Sequence, residues 1–250
     1  MMDVSFQLYS ARNFAPWDGV LEQLAALGYT QVEGFGGIYE DAAALRAALD
    51  ARGLTMPSGH FSPLASFEGD FDKTIANAKT LGMKQLYCPA PDDIYRDGAD
   101  AAAWRDLAAR LDVAAKRVQD AGLRFGWHNH HWEFMPLAGG EIPMQLLLDG
   151  APTMEWEADI AWIVRGGGDP IDWIAKHANR ITAAHIKDIA PEGTAEDEDG
   201  WADVGEGVMD WPAIMAALRA ANVSLFVMEH DNPNDLSRFA TRSLANFKTF

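Results

Sequence analysis

Five of the seven histidines in this chain close short strand-like runs: His60 after TMPSG, His128 and His130 in FGWHNHH, His185 after ITAA, and His230 after FVME. Carboxylates accompany them. Glu155, Glu157 and Asp159 share one parity in MEWEAD, Asp188 follows HIK, Glu229 and Asp231 flank His230, and Glu133 stands three residues past His130. Imidazole nitrogens and carboxylate oxygens without thiolates form a ligand set for Mn²⁺, Mg²⁺, Co²⁺ or Zn²⁺, and not for a structural cysteine zinc site. The same groups exchange protons near neutral pH, histidine above all. Singly, each residue also has a structural reading. A strand-end His is commonly a satisfied polar group, and Asp159 before IAWIV can cap the next helix. Lys187 shares the parity of His185, and it reads either as an electrophile or as a salt-bridge partner of Asp188 or Glu157. The convergence of four successive strand ends on metal-competent groups points instead to a divalent metal centre.

Such convergence needs a scaffold that brings strand ends together. Eight β-rich runs occur in order, VSFQLY, QVEGF, TMPSGH, QLYCP, RFGWHN, TMEWEAD, ITAAHI and SLFVMEH. Between them lie segments of helical period, such as Trp17, Val20, Leu21, Leu24 and Leu27, or Trp104, Leu107, Leu111, Ala114 and Val118. Gly28, Gly53, Gly82 and Gly122 each follow such a segment, where a left-handed C-cap favours glycine. Alternation of this kind predicts an α/β fold, a (β/α)8 TIM barrel with its site at the C-terminal strand ends. The alternative, an open doubly wound sheet, normally brings a glycine-rich phosphate loop, and neither GxGxxG nor a P-loop lysine occurs.

A length of 250 residues with 48% hydrophobic content suits one barrel domain over residues 1–250. The formal charge of −17 argues against a nucleic-acid partner. No apolar run approaches the roughly 18 residues that cross a bilayer, and the first ten residues lack a basic start and an apolar core, so a cytoplasmic protein with no membrane partner is expected. Cys88, the single cysteine, reads as buried filler. The acidic run Glu196 to Asp199 reads as a solvated loop or a lid, and tryptophan-bearing loops such as Trp201 leave a homodimer contact open. Trp127 and Trp162 are candidate walls of the pocket.

Around these residues the sequence resembles the xylose-isomerase-like TIM-barrel superfamily, within it the sugar phosphate isomerase/epimerase group and its HNHxxE subgroup. The matching stretches are FQLYSAR, WHNHHWEF, EADIAWIVRGGGDP, AAHIKDI, VGEGVMDW and FVMEHDNP. The resemblance implies one divalent ion, Mn²⁺ first and Mg²⁺, Co²⁺ or Zn²⁺ as alternatives, held by Asp159, His185, Glu229 and a fifth-strand ligand. That ligand is Glu133 in the subgroup pattern, leaving His130 for catalysis; His128 competes for the place. His130, Glu133, Glu229 and Lys187 are then the expected catalytic groups, and His60, His128, Trp127 and Gln7 the expected contacts to a small carbohydrate substrate. The implied activity is isomerisation or epimerisation of a keto-sugar or related polyol through a metal-stabilised enediolate. A lyase or dehydratase acting on 3-keto-glycosides or inososes is the alternative on the same site.

Overall fold

The computed structural model describes residues 4–91, 93–96 and 98–250. Each expected run contains a strand: β1 (Ser5–Gln7), β2 (Gln31–Gly34), β3 (Thr55–His60), β4 (Gln85–Cys88), β5 (Arg124–His128), β6 (Glu155–Asp159), β7 (Ile181–Ile186) and β8 (Leu225–Met228). All are parallel, and β1 pairs with both β2 and β8, so the sheet closes into the eight-stranded barrel that the alternation predicts.

The intervening helices pack their apolar stripes on the outside of the sheet. Trp104, Leu107, Leu111 and Val118 of the helix Ala101–Asp120 are buried, as are Val20, Leu21 and Leu24 of the helix Trp17–Leu27. Gly28 and Gly82 end their helices with φ of 99° and 83°, a left-handed conformation that a Cβ would disfavour. Six helices start on an aspartate whose carboxylate accepts a backbone N–H: Asp41, Asp100, Asp159, Asp169, Asp210 and Asp235. Six of the 37 acidic residues therefore lie where helix dipoles favour negative charge.

The barrel centre is unusually polar. Strand register sets Gln7 beside Glu33, Glu33 beside Ser58, His128 beside Glu157, and Asp159 beside His185. A TIM barrel is ordinarily filled here by branched aliphatics.

One element was not anticipated. Beyond β7 the chain forms a short antiparallel ribbon of Asp188–Ile189 with Trp201–Ala202. Asp188 organises it: its two oxygens accept from the backbone N–H groups of Ile189, Gly205, Gly207 and Met209 and from the Trp211 indole, at 2.8 to 3.3 Å. A Cβ on Gly207 would stand 2.2 Å from that carboxylate, which explains the glycine in VGEGVMDW. The acidic run within the ribbon keeps Glu196, Asp197 and Asp199 exposed, as a solvated loop would, while Glu198 is buried and the backbone is pinned. Glu198 pairs with Arg238 at 2.6 Å, and Arg165 donates to the carbonyls of Asp199 and Gly200 at 2.9 Å. Trp201 is buried against Trp162 with 4.7 Å between ring centroids, so it offers no surface for a second copy. Among the described residues no helix is long and apolar enough to cross a membrane.

Candidate metal centre

At the C-terminal mouth lies a cavity of about 690 Å³, lined on its polar side by His60, His128, His130, Glu229 and Asp231, and opposite by Tyr9, Phe35, Pro89 and Ala90. Each polar group arrives by a strand end: His60 from β3, His128 from β5, Glu229 and Asp231 just past β8.

Two overlapping groups of donors meet beneath the cavity, each with its ligand atoms within 4.8 Å of one another. The upper group is His128, Asp159, His185 and Glu229; the lower is His60, His128, Glu157 and His185. In the upper group His185 Nδ1 lies 2.8 Å from Glu229 Oε2. Asp159 divides its carboxylate. Oδ1 accepts from the Trp162 N–H at 2.9 Å and caps the helix Ile160–Arg165, while the buried Oδ2 has no hydrogen-bond partner and only an ion-pair contact of 3.7 Å to Lys187 Nζ. The sequence offered helix cap and metal ligand as alternatives for Asp159; its two oxygens allow both.

Burial raises the Asp159 carboxyl to about 7, because the lowering influence of Lys187 does not compensate the lost hydration. A buried oxygen without a donor, beside two imidazoles and a second carboxylate, suits a divalent cation. These residues therefore fit the ion that the fold implies.

The lower group is already hydrogen-bonded. Glu157 Oε2 lies 2.6 Å from His60 Nε2, 3.1 Å from His128 Nδ1 and 3.3 Å from His185 Nε2. Glu33, which no sequence signal singled out, lies beside it with Oε1 2.8 Å from His185 Nε2 and 3.2 Å from His60 Nε2, and with contacts to Gln7 and the Ser58 hydroxyl. Burial alone would lower the His60 imidazole, but Glu33 and Glu157 outweigh it and lift it to about 9. His128 is driven well below its ordinary value, first by burial and then by the neighbouring imidazoles.

Four expectations need correction in placement. Glu133, expected as ligand and base, lies outside both groups: its oxygens accept from the Trp127 indole at 3.0 Å and the His130 backbone N–H at 2.9 Å. The fifth-strand position in both groups is occupied by His128. Trp127 is fully buried and does not line the cavity; Gln7 lies beneath the site and supports Glu33, so neither faces substrate. Lys187 is fully buried, but its partners are Asp231, Glu229 and Asp159, not Asp188 or Glu157, and the rings of Trp162 and Trp201 flank it at 4.8 and 4.3 Å. His230 turns away from the cavity and packs on Phe239, its Nδ1 accepting from the Asn232 N–H at 3.1 Å. His130 does reach the cavity, stacked on Trp132 at 4.5 Å and 5.2 Å from the His128 ring. The trace of Glu33 in the sequence, too weak to single it out, is a carboxylate set between Val32 and Gly34 inside a short strand.

Comparison with known proteins agrees with this architecture. Residues 21–247 match the family described as xylose isomerase-like TIM barrel. An inosose dehydratase from Geobacillus kaustophilus is 24% identical over 192 residues, covering 69% of this chain and 62% of that protein, so the match spans less than two thirds of its length. A solved structure described as a sugar phosphate isomerase/epimerase from Parabacteroides distasonis superposes with a TM-score of 0.81 at 21% identity, over 98% of this chain and 92% of that one. A structure described as IolI protein with a bound zinc atom superposes with a TM-score of 0.77 at 14% identity, over 99% of this chain and 97% of that one.

Proposed function

Since the chain belongs to the xylose isomerase-like TIM-barrel family, we propose that it is a divalent-metal-dependent isomerase or epimerase of a keto-sugar or related polyol, acting by proton removal beside a carbonyl. The observation that carries this reading is the buried Asp159 Oδ2, without a hydrogen-bond partner and grouped with His128, His185 and Glu229 below the cavity. Those four residues would hold the ion, Mn²⁺ first among Mn²⁺, Mg²⁺, Co²⁺ and Zn²⁺, since a set of nitrogen and carboxylate donors accepts all four. When bound, the ion supplies a Lewis acid that stabilises negative charge on substrate oxygens.

The remaining chemistry belongs to the side chains. His130 lines the cavity, and its imidazole takes a proton from the carbon next to the carbonyl and returns it. Glu133 holds the His130 backbone N–H and the Trp127 indole, and so fixes the loop that carries this base. Lys187, buried against Glu229 and Asp159, favours the ionised form of both carboxylates and holds Glu229 well below its ordinary range. Asp231 both lines the cavity and pairs with Lys187, within reach of substrate hydroxyls. Return of the same proton to the adjacent carbon gives isomerisation, while epimerisation needs a second group across the substrate to deliver a proton to the opposite face.

The similarity to the inosose dehydratase favours a second reading, in which the proton taken at the carbon reaches a departing β-hydroxyl and water is lost. One experiment separates the two. Mn²⁺-loaded protein is incubated in D₂O with a panel of keto-sugars and inososes, and the products are followed by NMR and mass spectrometry. Deuterium at a stereocentre or its neighbour without loss of water supports the isomerase or epimerase. Loss of water supports the dehydratase, and no exchange by the metal-loaded protein with any member of the panel sinks both.

A further inference from the structure

Beneath the donors of the upper group lie two carboxylates that never reach the cavity. Glu33 and Glu157 are fully buried, and each meets one nitrogen of a prospective ligand: Glu33 Oε1 is 2.8 Å from His185 Nε2, and Glu157 Oε2 is 3.1 Å from His128 Nδ1. An imidazole has two nitrogens on opposite sides of its ring, so one held by a carboxylate leaves the other to act elsewhere. For His185 the other is Nδ1, which faces Glu229 at 2.8 Å. Metal-bound histidines generally donate their second N–H to such a partner, which fixes the tautomer and makes the ligating nitrogen more basic.

We infer that Glu33 and Glu157 form a carboxylate floor that positions His185 and His128, so that His185 Nδ1 and His128 Nε2 take the metal. This assignment rests on the metal centre proposed above, and it chooses between the two donor groups. An ion in the lower group would need His185 Nε2, which is held by Glu33, a carboxylate outside that group, whereas Glu229, the partner of His185 Nδ1, is itself a member of the upper group. Both groups reach the cavity lining, the lower through His60 and His128 and the upper through His128 and Glu229, so the nitrogens and not exposure decide between them. The floor is itself anchored. Gln7 Nε2 donates to Glu33 Oε1 at 2.8 Å, the Ser58 hydroxyl donates to Glu33 Oε2, and His60 Nε2 spans both carboxylates at 2.6 and 3.2 Å. This gives Gln7 and Ser58 a purpose in a layer where aliphatic residues would pack as well.

The test uses full-length protein labelled with ¹⁵N-histidine and loaded with ¹¹³Cd²⁺. The expected spectrum shows cadmium coupled to His185 Nδ1 and His128 Nε2, with His185 Nε2 still protonated. Coupling to His185 Nε2 and His128 Nδ1 places the ion in the lower group and overturns the assignment. Wild-type protein that takes up no ion overturns the metal centre itself, and the assignment with it. In parallel, Mn²⁺ affinity is measured by chelator competition. Glu33→Gln should weaken it by roughly 10- to 100-fold, the range for loss of an outer carboxylate. Tyr29→Phe, which loses only the hydroxyl contact to the Ala240 carbonyl, should leave it unchanged even where its melting temperature falls as far. An unchanged affinity in Glu33→Gln refutes the floor, and should that variant not fold, the cadmium couplings in wild type decide.

Discussion

Asp159 shows how one residue carries two duties because its two oxygens face different surroundings. Oδ1 caps a helix and Oδ2 faces the donor group. Asn caps as well as Asp, so Asp159→Asn keeps the helix start and removes the charge. Isothermal titration with Mn²⁺ should show at least a tenfold loss of affinity, while the far-ultraviolet spectrum stays that of wild type. Glu133 makes a contrasting case. Burial lifts its carboxyl from 4.5 to about 7, against the hydrogen bonds from the His130 N–H and the Trp127 indole. Between those values the folded chain holds a proton that the unfolded chain has lost, so this group's stabilising contribution is complete below pH 4.5 and disappears as pH rises through about 7. The difference in unfolding free energy between wild type and Glu133→Gln, from urea titrations at pH 4.5 and pH 8, should shrink on the order of 2 to 3 kcal/mol at the higher pH, given about 1.36 kcal/mol per pKa unit. A difference independent of pH would refute the raised carboxyl.

The ribbon after β7 is the element on which the shape of the mouth depends. It carries Trp201 over Lys187 and brings Asp199 to the cavity, and Asp188 holds its two ends together through five donors. Asp188→Asn turns an amide N–H₂ towards some of those donors and leaves them without an acceptor. Unmet buried donors cost about 1 to 3 kcal/mol each, so a loss of about 3 kcal/mol is expected in thermal unfolding, together with altered emission from Trp211, whose indole donates to Asp188. A melting temperature equal to wild type would show that the ribbon holds without this hub.

Over the whole molecule, a buried group of like-charged oxygens strains the folded state until a cation neutralises it. Binding to the folded chain alone adds about 2.7 kcal/mol at a hundredfold excess over Kd, and for a chain of this size roughly 2 to 4 °C accompanies each kcal/mol. Calorimetry should therefore show a melting temperature roughly 5 to 10 °C higher with saturating Mn²⁺ than with EDTA. Identical melts would remove the metal from the account. The formal charge of −17 does not oppose this compact state as strongly as its size suggests, because six aspartates sit at helix N-termini.

From residue order alone the eight strands, the helical stripes between them, the closing glycines and the barrel were legible, because alternation and helical period are local properties that each segment carries by itself. That Asp159, His185 and Glu229 stand at strand ends was legible too, since a strand end in a barrel has a known address. The depth at which each side chain lies was not legible. Glu33 and Glu157 face the same centre as their neighbours but a layer below the mouth, and that layer follows from the stagger between strands, a relation no single segment encodes. Nor could spacing tell that the Glu133 side chain turns back on its own loop and leaves the fifth-strand place to His128. That outcome depends on where the Trp127 indole and the His130 N–H lie in space. Local sequence determined which groups are present and on which elements. Only closure of the barrel decided which of their atoms meet, because hydrogen bonds and metal ligation act over about 3 Å between strands far apart in the chain.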